Sequence, residues 1–176
     1  AVLKKYDGVI YPIIKNEGIY NKKPVEIYGF KPTTIYEANW PLLESTKNAW
    51  QRIRNGEIIF VSEQLSIREK IKLGDCLELE LGNKKLNIQV GGTYADYGNS
   101  RNQLMMQFKL YKTFFPSQIP STLAVKVDDT NRLNFFNDLL SNIEILSQAI
   151  IDPQQVQKIS LKIFDNTFKI SFQLAL

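Results

Sequence analysis

Asp96, Asp128 and Asp129 are the side chains of this 176-residue sequence whose type and setting could serve as a base toward an ester, peptide or glycoside. Such chemistry needs a second acid or base within hydrogen-bond reach of the first. The spacing supplies none. Asp128 and Asp129 directly precede an apolar helical pattern and read as capping residues, and no oxygen ligands recur at the intervals of a cation-binding loop. The sequence contains no histidine, which removes Ser-His-Asp and Cys-His nucleophile systems and histidine metal sites together. Cys76 is the only cysteine and cannot form an internal disulfide; in its strand pattern it reads as a small, partly buried residue. The expectation is therefore a protein that is not an enzyme, with no catalytic residue, metal or cofactor. Two alternatives stay open: a free-standing binding protein for carbohydrate or peptide, using Tyr94, Tyr97, Trp40 and Trp50, and a small hydrolase built on one of the three aspartates.

The elements around these residues are clearest between Glu57 and Gly98. Ile58-Ile59-Phe60-Val61 reads as a buried strand. Ser62 then offers an oxygen to the first amides of a helix that runs to Lys70, and Glu63 puts negative charge at the positive end of its dipole. Leu65 and the apolar part of Ile67 to Ile71 are expected to face inward. Gly74 supplies a positive-φ position and Asp75 bonds the amides of the turn. From Cys76 to Leu81, Cys76, Glu78 and Glu80 alternate with Leu77, Leu79 and Leu81, and Gly82-Asn83 turns the chain into a returning strand with Leu86, Ile88 and Val90 inside. Gly91-Gly92 reads as the end of that strand.

Before this stretch, Gly8 to Ile14 reads as a strand, with Pro12 suggesting an edge or bulge, and Asn16-Glu17-Gly18 and Asn21-Lys22-Lys23 as turns. Val25 to Phe30 alternates again, residues Lys31 to Trp40 read as irregular, and Trp40 and Trp50 as packing anchors. After it, Gln103 to Met106 and Ser121 to Val127 read as strands, the second with Leu123, Val125 and Val127 on one face. Asp128-Asp129-Thr130 caps a helix with Leu133, Phe136, Leu139, Leu140 and Ile143 inside. A strand over Ile143 to Leu146 completes a β-α-β unit, and Asp152-Pro153 opens a last helix that becomes apolar all round. In it Phe164, Phe168 and Phe172 recur every four residues as an aromatic ridge.

The net charge of +4 is spread over separated lysine pairs, Lys4-Lys5, Lys22-Lys23 and Lys84-Lys85, and lacks the basic stripe with interleaved aromatics of a nucleic-acid binder. A weak attraction to anionic lipid headgroups is the functional use these pairs leave open. No stretch approaches the roughly 20 consecutive apolar residues of a membrane span, and no signal peptide is read at the N-terminus.

The run VSEQLSIREKIKLGDCLEL, a hairpin and then VGGTYADYG resembles the pattern of extracytoplasmic domains in FtsX-like and MacB-like ABC-transporter permeases. The residues that carry the match are Ser62, Glu63, Gly74, Asp75, Gly91, Tyr94, Asp96, Tyr97 and Gly98. Leu161 to Ile170 resembles the segment that precedes a transmembrane helix in such permeases. Gln64 and Gly92 depart from the pattern and leave the subfamily and cargo open. The resemblance implies an α+β MacB-like periplasmic core domain in two lobes, lying between two membrane helices of a bacterial inner-membrane protein, on its periplasmic or extracellular side. A porter-like lobe with β-α-β elements, about residues 1–32 plus 121–176, ends in a juxtamembrane helix; a mostly-β lobe, about residues 33–120, is inserted in it. It further implies a cytoplasmic ATPase subunit as partner, a periplasmic protein, lipid or lipoprotein as a second partner, and a mechanotransmission role in which Phe164, Phe168 and Phe172 couple the domain to the membrane.

Overall fold

The computed structural model describes residues 5, 9–40, 42–96, 101–120 and 122–142. Within them the chain forms β1 (Val9–Tyr20), β2 (Lys23–Phe30), α1 (Thr34–Asn39), β3 (Leu42–Ser45), α2 (Ala49–Arg54), β4 (Ile58–Ser62), α3 (Glu63–Glu69), β5 (Cys76–Leu81), β6 (Lys84–Tyr94), β7 (Gln103–Gln107), α4 (Phe108–Phe114), β8 (Thr122–Lys126), a 3-10 turn (Asp129–Asn131) and α5 (Arg132–Asn142). The chain divides into two compact units, residues 10–126 and residues 1–9 with 127–176. The expected strand at Ile143 to Leu146 and the last helix, with Phe164, Phe168 and Phe172, lie outside the described residues.

The larger unit is a closed sheet. Antiparallel pairing joins β1 to β2 (Ile14 opposite Gly29 through Tyr20 opposite Lys23), and β2 runs parallel to β7, with Phe30 opposite Gln107. β7 is antiparallel to β4, β4 parallel to β6, and β6 antiparallel to β5. The bridge from Ile19 to Glu80 returns β5 to β1 and closes the ring. The closure between β5 and β1 rests on this one register pair. β6 is long enough to serve two partners on one side: β5 takes its first half, and β3 pairs with Gly92 to Tyr94 at its end. β8 pairs with β1 as a further strand of the sheet.

Alternation decides what fills the barrel. Ile14, Val25, Ile27, Ile59, Val61, Leu77, Leu79, Leu81, Ile88, Val90, Leu104 and Met106 form one buried cluster, joined by Leu65 of α3 and Tyr111 of α4. Each fully buried aliphatic side chain stabilises by about 1.5–3 kcal/mol. A second cluster lies on the outer face, where Ala49 and Ile53 of α2 cover Phe30, Ile58, Phe60 and Met105, flanked by Tyr36, Trp40 and Trp50. Both tryptophans are half-buried, and their rings pack edge-on or tilted: Trp50 on Phe60, and Trp40 on Tyr94, Tyr36 and Phe30.

Several expectations need correction. Asn16-Glu17-Gly18 is strand interior, and the turn falls at Asn21-Lys22, both with positive φ as a two-residue hairpin turn requires. The stretch from Lys31 to Trp40 contains the helix α1, and Gly91-Gly92 lies inside β6, which continues to Tyr94. Ile67 points to solvent while Ile71 is buried, and Cys76 is exposed beside Glu78 and Glu80. The β1–β2 hairpin builds the barrel with β4 to β7. In the smaller unit, Lys5 pairs with Asp138 at 2.6 Å. On α5 the buried residue is Phe135, whereas Leu133, expected inside, is exposed.

Candidate functional site

Among the described motif residues, Gly91 and Tyr94 lie on β6, and Ser62, Gly74 and Asp75 are joined to it. Ser62 stands opposite Tyr94 in the parallel β4–β6 pairing. The Ser62 hydroxyl is fully buried and accepts from two amides, Leu65 N in the first turn of α3 and Gln103 N at the start of β7, each at 3.3 Å. One side chain thus caps a helix and holds two strands at the same level. Glu63 follows in the first turn of α3. Lys70 closes α3 in a left-handed conformation, and Gly74, at φ 91°, turns the chain toward β5. Asp75 Oδ2 accepts from Lys72 N at 2.8 Å, Gly74 N donates to Val90 O and Val90 N to Asp75 O, so the Gly-Asp turn is clamped to β6. The cap, the turn and the hairpin expected over Ser62 to Val90 are all present. Replacing Ser62 by alanine orphans two buried amides, and the midpoint of urea unfolding should fall by an amount equivalent to about 1–2 kcal/mol.

Tyr94 and Asp96 belong to a polar cluster that the sequence did not announce. Glu26 on β2 is buried, and its carboxylate accepts from Arg101 at 2.7 Å, Tyr28 OH at 3.0 Å and Gln103 Nε2 at 3.1 Å. Burial pushes this carboxyl up, but the bonds from Arg101, Tyr28 and Gln103 outweigh it and hold the group below the usual glutamate range. Burial and the bond to Glu26 push the Tyr28 phenol up to about 12. Tyr94, almost completely buried, is driven upward mainly by burial, with Asp96 adding to it, and its hydroxyl lies 3.5 Å from Gln103 Oε1. The Asp96 carboxyl is shifted up by burial and by the charge of Glu26, and its Oδ2 is shielded with no hydrogen-bond partner among the described residues. Gln64 Nε2 holds the Asp96 carbonyl at 3.4 Å.

Two carboxyls with opposite shifts are the usual mark of an acid and a base. Here three donors occupy most of the acceptor sites of Glu26, and two of them come from Arg101 and Gln103, so that the carboxylate is committed to holding β2 against the start of β7. A catalytic pair is therefore not what the geometry supports. Glu26, Tyr28, Arg101 and Gln103 were missed because a charged residue alternating with Val25 and Ile27 reads as solvent-facing. The available signal was Phe30, apolar on the same face as Glu26 and Tyr28. Asp128 directly precedes the 3-10 turn, and its backbone carbonyl accepts from Asn131 N at 2.9 Å. Tyr97 and Gly98 lie outside the described residues.

No family model and no curated protein matches this sequence. Solved structures do. The chain is similar to the extracellular domain of the noncanonic ABC-type transporter YknZ from Gram-positive bacteria, with a TM-score of 0.56 and 14% identity over 76% of this chain and 73% of that one. It is also similar to the periplasmic region of MacB from Actinobacillus actinomycetemcomitans, with a TM-score of 0.52 and 15% identity over 75% of this chain and 65% of that one, just under two thirds of its length. The fold is that of extracytoplasmic domains of ABC-type transporters, a mixed α/β architecture with a sheet-rich core.

Proposed function

We propose that this chain is the extracytoplasmic domain of an FtsX-like or MacB-like ABC-transporter permease. In that role it is a non-catalytic module coupling cytoplasmic ATP hydrolysis to the handling of a substrate or partner outside the inner membrane. The observation that carries the reading is the fold shared with the YknZ and MacB domains. The motif geometry supports it. Ser62, Gly74, Asp75 and Tyr94 fix strands and turns to one another, as a rigid transmitting element needs, and Glu26 is spent on structure. The ridge of Phe164, Phe168 and Phe172 is the part we assign to the membrane side, with the cytoplasmic ATPase as partner through the rest of the permease.

The test uses the complete permease with its ATPase subunit in liposomes. Replacing Phe168 by aspartate is expected to reduce transport-coupled ATP hydrolysis about 5-fold or more, the lower end of ordinary coupling free energies, while circular dichroism of the 176-residue chain is unchanged. Full transport by that variant, or a permease that assembles with no ATPase, would sink the proposal.

A further inference from the structure

The carboxyl ends of the parallel strands β2 and β7 emerge side by side, since Phe30 is the register partner of Gln107. The residues that follow, Lys31-Pro32 and Phe108-Lys109, meet the last residue of α2, Arg54, around a cavity of about 200 Å³ that Gln107 also lines. Three cationic side chains from three parts of the chain thus face one space, and no carboxylate lines it among the described residues. Arg54 is fixed: its Nε donates to Pro32 O at 3.2 Å and its NH2 pairs with Glu37. Gln107 Oε1 is used too, accepting from Leu110 N at 2.7 Å. Lys31 and Lys109, both exposed, have no hydrogen bond or ion pair with any described residue.

A lysine alone on a surface is simply hydrated. Two unpaired ammonium groups around one concavity, with Pro32 and Phe108 as low-dielectric walls, instead add their fields and concentrate anions there, while Glu37 offsets the charge of Arg54. The cavity has room for roughly six water volumes, enough for a tetrahedral oxyanion with part of its hydration shell or a short polar stem. Arg54, held in place by Pro32 O and Glu37, keeps its remaining guanidinium N–H groups as fixed donors and the lysines supply mobile point charges, a combination suited to phosphate.

We infer that Lys31, Arg54 and Lys109 form a binding site for a phosphate-class oxyanion, carried either by a soluble phosphate or by an anionic lipid headgroup. The site lies within the barrel unit and does not depend on the coupling role proposed above. The experiment uses the 176-residue chain at low ionic strength, titrated with inorganic phosphate and with glycerol 3-phosphate, with the amide resonances of Lys31, Phe108 and Lys109 followed by NMR. A parallel series measures co-sedimentation with vesicles of phosphatidylcholine alone or containing phosphatidylglycerol. The expected result is a saturable response that weakens at least tenfold in the double variant Lys31→Gln, Lys109→Gln. The control double variant Lys22→Gln, Lys47→Gln removes the same charge elsewhere and should bind as before. Saturation by the soluble phosphates identifies a free phosphate as the source, and binding confined to the anionic vesicles identifies a headgroup. No saturable response in any arm, or equal weakening by both double variants, overturns the site.

Discussion

Replacing Gly91 by alanine is expected to lower the stability of the barrel unit by about 3 kcal/mol, the upper end of what overpacking a core costs. The cause is local and can be read from the strand register. Ile59 of β4 faces Val90 of β6, but the next residue, Phe60, faces Gly92, so Gly91 is the extra residue of a bulge. A Cβ there would stand 2.1 Å from Ile58 Cδ1, 2.9 Å from its Cγ1 and 3.0 Å from its Cβ. Ile58 is fully buried between α2 and the sheet and has no room to withdraw. Either β6 moves away from β4, breaking the parallel ladder that holds Ser62 opposite Tyr94, or Ile58 leaves its rotamer. Shortening Ile58 to alanine makes space at its own cost of about 2–5 kcal/mol. The double variant Gly91→Ala, Ile58→Ala should then lose less than the sum of the two single losses, by about 0.5–3 kcal/mol. Urea unfolding of the four proteins measures this cycle. An unchanged midpoint in Gly91→Ala, or strict additivity, would show that the two residues are not in contact.

The same glycine shows where the sequence is legible and where it is not. The unit from Ile58 to Val90 can be read residue by residue because every signal in it is local. A cap lies three residues from its amide, a positive-φ glycine precedes an aspartate that bonds back three residues, and a hairpin alternates on both arms. Gly18 and Gly91 look like turn glycines in sequence, yet both are in strands because another element passes too close for a Cβ. At Gly18 it would meet Ile27 Cδ1 at 2.4 Å and Glu80 O at 2.9 Å, the place where β5 returns to β1 and closes the barrel. That closure is a long-range fact with no local trace. The short helices α1, α2 and α4 span too few residues for a helical period to stand out from chance. On α5, Phe135 and Leu133 exchange the roles the stripe assigns them, since one turn of apolar residues allows two inward faces and only packing chooses between them. Glu26 failed for a related reason: alternation shows which residues share a face, and a second layer over the outer face is invisible until the aromatic cluster of Phe30, Tyr36, Trp40 and Tyr94 is assembled.

Glu26→Gln is the variant that separates this buried cluster from an ordinary surface ion pair. The neutral amide keeps the shape but gives up charge-assisted bonds from Arg101 and Tyr28, and it turns its own NH2 toward donors where an acceptor stood. A loss of about 2 kcal/mol at pH 7 is expected, within the usual range for hydrogen bonds to a charged group. Because the Glu26 carboxyl is held below its unfolded value, its contribution is fully present above the unfolded glutamate pKa of about 4.3 and is lost as pH falls through the folded value. The stability gap between wild type and variant should therefore be constant from pH 8 to pH 6 and narrow only below about pH 4.3. Asp96 runs the other way. Its carboxyl is raised by burial and then by the Glu26 charge, so its ionisation opposes folding at neutral pH, and that penalty lifts as pH falls through its folded value. Removing the Glu26 charge takes away the second of those causes, and the Asp96 carboxyl resonance of the variant should titrate at lower pH than in wild type. A surface pair between Glu26 and Arg101, held only by the exposed guanidinium, would give a gap below about 1 kcal/mol that vanishes in high salt and leaves the Asp96 titration where it was. Urea midpoints between pH 3 and pH 8 at two salt concentrations, with carboxyl NMR of Asp96, distinguish the two. A pH-independent gap, or an Asp96 titration that does not move, would show that Glu26 and Asp96 do not share one desolvated site.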